Sequence, residues 1–182
     1  KVIFPITVLV MVVSVTMLFR TPVPVFLSVS VSLLSVLWTV GISAFISPKL
    51  SIFYGIVPSV VTIVAVSDVI HLWSAYLHEL SLGKSRDDAI LGSATDVGRA
   101  CLLTSITTAV GFLSISLIPT PMFRELGVVL GAGVGIALLL AMTLVPIIAS
   151  MGKTPSVQAQ QMDNPIGRLV NRIVSVCNHL ST

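Results

Sequence analysis

The chain has 182 residues, 55% of them hydrophobic and only 9% charged, with a mean hydropathy of +1.07. Soluble domains are about a quarter charged, so this composition excludes an ordinary soluble domain and indicates an integral membrane protein. The formal net charge of +3 is small and the ten Lys and Arg are dispersed, which argues against nucleic acid as a partner; Cys101 and Cys177 are too few and too far apart for a disulfide framework or a cysteine metal site.

The chain opens directly into an apolar stretch, Val2–Phe19, without an initiator Met or a signal-peptide pattern, as expected of a piece of a longer polypeptide. Residues 1–151 read as one transmembrane bundle of five apolar spans, since ~20 helical residues cross ~30 Å of hydrocarbon. The first span, about 3–19, stops at Arg20-Thr-Pro-Val-Pro24. The second, about 23–46, contains the alternating run VSVSVS, but its length predicts a helix with Ser28, Ser32 and Ser35 along one face. It ends at Ser47-Pro48-Lys49.

The third span, about 52–76, carries Asp68 about four residues beyond its middle. The loop that follows, residues 77–99, is the only long polar one. Within it Ser85 predicts an N-cap, with Asp87 and Asp88 in the first turn and Ile90, Ala94 and Val97 sharing a face, hence a short amphipathic helix on the membrane surface. The fourth span, about 100–118, ends at Pro119-Thr-Pro121. The fifth, about 126–150, has Gly127, Gly131 and Gly135 at intervals of four, a spacing that lets helix backbones approach closely; Gly111 on the fourth span is assigned to the same packing. Residues 152–182 form a polar linker and then an amphipathic helix from Asn164-Pro165.

Orientation follows from Lys/Arg asymmetry. The side holding the Arg20 turn, loop 77–99 and the tail has seven Lys or Arg against three on the other, so these parts are expected in the cytoplasm.

A carboxylate near mid-membrane costs roughly 2.5–3.5 kcal/mol on insertion scales, so Asp68 is expected to face the bundle interior and to titrate as part of function. His71 lies one turn on, placed to partner Asp68 or relay a proton. On the fourth span Thr104, Thr107, Thr108, Gly111 and Ser114 form a stripe at helical spacing within LLTSITTAVGFLS. Asp68, His71 and His78 do not complete a metal site, no cofactor is called for, and no nucleophile and base pair suggests an enzyme.

Motif order now becomes informative: a second span ending near SPKLS, a third reading P-x8-SDVIHLWSAYLHEL, the loop GKSRDDAI, then G-R-A-x6-TTAVGFLS and a glycine-rich span ending TLVP. This order resembles one repeat of the resistance–nodulation–division (RND) superfamily, nearest the bacterial lipid-exporter branch (the mycobacterial membrane protein large, or MMPL, type, with the hopanoid exporters) and the related sterol-sensing domains. The resemblance covers about residues 1–151. It implies an all-α bundle corresponding to helices two to six of a six-helix repeat, with a large extracytoplasmic domain between helices one and two of the parent. It also implies that Asp68 is the family's proton-relay aspartate and that Thr104–Thr108 matches its fifth-helix hydroxyl region.

Two departures bear on substrate. Ser67 stands where the drug-efflux branch often has a second acid, and Val69 follows Asp68 where the mycobacterial branch typically has Tyr. The expectation is therefore part of a proton-driven exporter of lipid or another hydrophobic small molecule in the cytoplasmic membrane. Asp68, His71, Thr104, Thr107 and Thr108 would form the proton relay, and protons, membrane lipids and a second transmembrane repeat would be the partners. The alternatives are a sterol-sensing-type lipid sensor and a protein-translocation auxiliary of the same superfamily.

Overall fold

The computed structural model describes residues 3–19, 21–46 and 55–151. The predicted tail at 152–182, Arg20 and the turn at 47–54 lie outside the described residues. Five helices account for the described chain: α1 Ile3–Phe19, α2 Pro22–Ile46, α3 Val57–Ser81, α4 Arg86–Ile115 and α5 Pro121–Met151. The alternating serines are helical, as length predicted, because a lone strand in hydrocarbon would leave its backbone groups unpaired. Helices α2 to α5 are each long and apolar enough to cross a membrane; α1, with 17 residues, is a shorter apolar helix.

The order of turns runs α1, α3 and α5 one way and α2 and α4 the other. Helix α3 is the hub, packing on each of the other four. Its inner face, Ala65, Val69, Leu72 and Tyr76, joins Leu27 and Val31 of α2 and Ala137, Ala141 and Val145 of α5 in one buried cluster. Outward, large apolar side chains such as Leu9, Phe26, Leu37, Leu103 and Leu117 are exposed, the inverse of a soluble surface and suited to lipid.

Three boundaries differ from expectation. Helix α3 begins and ends about five residues later than the predicted span, with Pro58 in its first turn, which puts Asp68 one residue from the helix midpoint. The amphipathic stretch after Ser85 is not a separate surface helix: it runs into the fourth span as one helix of 30 residues. Ser85 caps it as predicted, accepting from the Asp88 N–H at 3.3 Å, and Asp87 and Asp88 complement the helix dipole. Gly92 and Gly98, the backbone weak points between cap and span, lie against Glu79 and Met142 and do not break the helix. Helix α5 starts at Pro121, earlier than predicted, because proline suits a helix's first turn.

The α3–α4 connection is therefore a tight turn. Gly83 sits at φ +79, which glycine adopts without the Cβ penalty, and its N–H bonds the Leu80 carbonyl at 3.1 Å. Arg86 then donates from Nε to the Ala149 carbonyl at 2.9 Å, pinning the start of α4 to α5.

Close packing of α4 on α5 depends on two of the predicted glycines. A Cβ on Gly127 would stand 2.6 Å from the Phe112 carbonyl oxygen, and one on Gly131 would stand 2.9 Å from Leu113 Cγ. Gly135 and Gly111 play no such part, having nothing within 4 Å of a Cβ position. Each four-residue step turns about 40° around the helix, so the row that begins on the α4 contact has rotated away from it by Gly135. Gly133 does the corresponding work on another face, where Val61 of α3 and Thr39 of α2 approach it at 2.8–3.0 Å.

Candidate functional site

Helix α2 contributes a polar seam longer than the three predicted serines. Ser28, Ser32 and Ser35 are buried, and Thr39 and Ser43 continue the row. Ser35 and Thr39 satisfy themselves by donating to the Val31 and Ser35 carbonyls at 2.7 and 2.6 Å, whereas the Ser28 and Ser32 hydroxyls have no protein partner. The seam lies against α3, the helix that holds the one acid buried in the bundle among the described residues.

Asp68 is 5% exposed, in the middle of α3. Two residues of α4 face it: Ser105, whose side chain stands beside its carboxylate, and Cys101, one turn away and close enough to feel its charge. Both are buried, and Cys101 is a free thiol. One carboxylate oxygen, Oδ2, is buried without a protein partner. A buried acid with one oxygen unsatisfied is poised to take up a proton or a water, because either removes the cost of the unmet group.

The predicted supporting groups fall elsewhere. His71 interacts electrostatically with Asp68 but lies on the exposed side of α3, as do Ser67 and His78. Thr104 and Thr107 are exposed and Thr108 is half-buried. All three hydroxyls return to their own helix: Thr104 to the Cys101 carbonyl at 2.9 Å, and Thr107 and Thr108 to the Thr104 carbonyl at 2.9 and 2.7 Å. The structure thus does not bring the threonine stripe to Asp68. It brings Ser105, one residue and about 100° away, which the sequence analysis passed over. A signal existed: Ala89, Ser93, Gly98, Cys101 and Ser105 form the buried row of small residues on α4.

Toward the α3–α4 turn, α3 carries further buried polar atoms without hydrogen-bond partners, Trp73 Nε1 and Tyr76 Oη, the two rings packing at 5.4 Å between centroids. Glu79 closes this end in an ion pair with Lys84, and that neighbouring carboxylate holds the Lys84 ammonium above its usual value. On the opposite side of α3, an apolar cavity of about 40 Å³ lies among α1, α2 and α3, lined by residues including Met11, Val15, Val29, Leu33 and Val66, with Ser28, Ser32 and Thr62 in its wall. Among the described residues no three His, Cys, Asp or Glu side chains converge as a metal site would require.

Comparison with known proteins gives a consistent assignment. The profile of the MMPL family matches residues 1–172. A membrane protein of Methanocaldococcus jannaschii is 30% identical over 130 residues, which is 71% of this chain and 34% of that protein. The chain thus spans about a third of the length of the curated relative it matches. No solved structure matches the chain at a significant level.

Proposed function

Because this chain belongs to the MMPL family of the RND superfamily, a family of membrane transporters, we propose that it is part of a proton-driven exporter of lipid or other hydrophobic molecules. The observation that carries this reading is Asp68: an acid buried at the middle of the hub helix, with one oxygen unmet and a hydroxyl facing it from α4. Intramembrane acids so placed mark ion pathways more often than they mark packing. In this reading Asp68 binds the coupling proton and Ser105 orients the carboxylate. His71 and the threonines lie at the margin of the relay.

Ionised Asp68 holds α3 and α4 under an uncompensated charge, and protonation removes it. A charge change of this kind at a helix contact biases which of two packings is favoured. The energy is adequate, since one proton crossing 100 mV releases about 2.3 kcal/mol before any pH gradient is counted. Rocking against a second repeat would convert that bias into movement of substrate. The bundle sits in the cytoplasmic membrane in this reading, with the α3–α4 turn and the tail in the cytoplasm, an orientation that the excess of Lys and Arg on that side supports.

A second reading, a sterol-sensing-type module that binds a lipid and reports on it without transport, rests on the family resemblance alone. The two are separated by the Asp68→Asn variant of the intact parent protein, assayed for export of a hydrophobic substrate at matched membrane level. Asn keeps shape and hydrogen bonding but cannot titrate. Loss of export supports the proton-site reading, and unchanged export overturns it.

A further inference from the structure

The outward faces of this bundle are of two kinds. On α1 and α2 the exposed side chains are large and apolar, among them Leu9, Met17, Phe26, Leu33 and Leu37, as hydrocarbon requires. On the hub helix α3 they are polar: Ser67, His71, Ser74 and His78 are all exposed. Their spacing of four, three and four residues sets them on one stripe about 16 Å long, at 1.5 Å of rise per residue.

Such a stripe does not suit lipid. His71 stands two residues from the midpoint of α3, and ionisable side chains at that depth face protein or water and pair with other polar groups. The exposed threonines of α4 avoid the cost by donating to carbonyls of their own helix, as Thr104 and Thr107 do at 2.9 Å. Among the described residues, the side chains of Ser67, His71, Ser74 and His78 have no hydrogen-bond partner.

The chemistry of the stripe selects what covers it. A serine hydroxyl and a neutral imidazole are each both donor and acceptor, so the stripe is its own complement, whereas a row of one charge would call for the opposite charge. Intervals of four, three and four are also the 3.5-residue repeat with which two helices pack along a common seam. A two-fold axis along the membrane normal brings such a face onto itself.

We propose that the outward face of α3 is an interface between two copies of this chain, with Ser67, His71, Ser74 and His78 of one α3 packed along the same residues of the other. The interface stands whether or not Asp68 binds the coupling proton.

Oxidation of single-cysteine variants of the intact parent protein in its native membrane tests it, the unsubstituted parent giving the background of its own thiols. A disulfide needs Cα atoms within about 7 Å, so Ser67→Cys or Ser74→Cys, on the stripe, should link two chains into a species of twice the mass. Leu37→Cys, on the apolar face of α2, should not. No linked dimer from either serine position, or equal linkage from Leu37→Cys, overturns the interface. The mass of the wild-type parent in lipid nanodiscs is independent of any substitution: two chains per particle are expected. One chain per particle overturns the proposal, whether a further bundle of the same chain or a water-filled path then covers the face. His71→Leu, which suits the stripe to lipid, should weaken association at least about threefold, the effect of one interhelical hydrogen bond in a membrane. Unchanged association overturns the pairing through His71.

Discussion

Asp68 on α3 and Ser105 on α4 are neighbours inside the bundle, both buried. A hydrogen bond to a charged group contributes about 1.5–3 kcal/mol, so Ser105→Ala should lower export by the parent protein roughly tenfold without loss of membrane level. Thr104→Val and Thr107→Val, which remove hydroxyls bonded to their own helix and exposed on the outside, should leave export within about twofold of wild type. Side-by-side export rates of the three variants check this. A larger loss from the threonines would place the relay on the other face of α4.

Gly127 lets α4 and α5 touch through their backbones. An alanine there meets the Phe112 carbonyl oxygen and the Ser116 nitrogen at 2.6 and 2.8 Å, atoms that move only if a helix moves. Gly127→Ala should therefore cost about 1–3 kcal/mol, seen as a lower midpoint in thermal unfolding, whereas Gly135→Ala and Gly111→Ala should be neutral or slightly stabilising.

The Gly83 turn sets how α4 follows α3. At φ +79 an alanine costs about 1 kcal/mol or more, so Gly83→Ala should lower stability by that amount. In the adjacent ion pair Lys84 is exposed and Glu79 is only 12% exposed. Lys84 is held above its ordinary value of 10.5 chiefly by the hydrogen bond to Glu79, so whatever the pair contributes is fully present below pH 10.5 and is lost only as pH rises through the raised value. Thermal midpoints of wild type and Glu79→Gln should accordingly run parallel between pH 7 and 9.

Arg86 ties the first turn of α4 to Ala149. Arg86→Ala should loosen the far end of α5 more than its middle, with faster hydrogen exchange at residues 147–151 than at 130–138. A uniform increase along α5 would mean that Arg86 stabilises the whole bundle and not this joint.

The orientation makes its own prediction. Lys84→Cys, at the exposed α3–α4 turn, should react with a membrane-impermeant thiol reagent only from the cytoplasmic side, and Thr120→Cys, in the exposed α4–α5 turn, only from the other. Labelling of both from one side would contradict the five-helix threading.

Much of this protein is legible in its sequence, because hydrocarbon is a severe solvent. A run of apolar residues long enough to cross it must be helical to pair its own backbone, so the five apolar helices, four of them long enough to cross, the Ser85 cap and the oddity of Asp68 follow from residue order and composition. What faces what does not follow. Thr104 and Ser105 are adjacent in sequence and equally polar. Yet one meets the surroundings and the other meets Asp68, since a residue's step of about 100° around α4 counts only once the position of α3 is known. The same holds for Gly131 and Gly135, alike in spacing and opposite in role. Pro146 leaves an unpaired carbonyl by its chemistry alone, but only the packing of α3 against α5 sets Tyr76 near that part of α5.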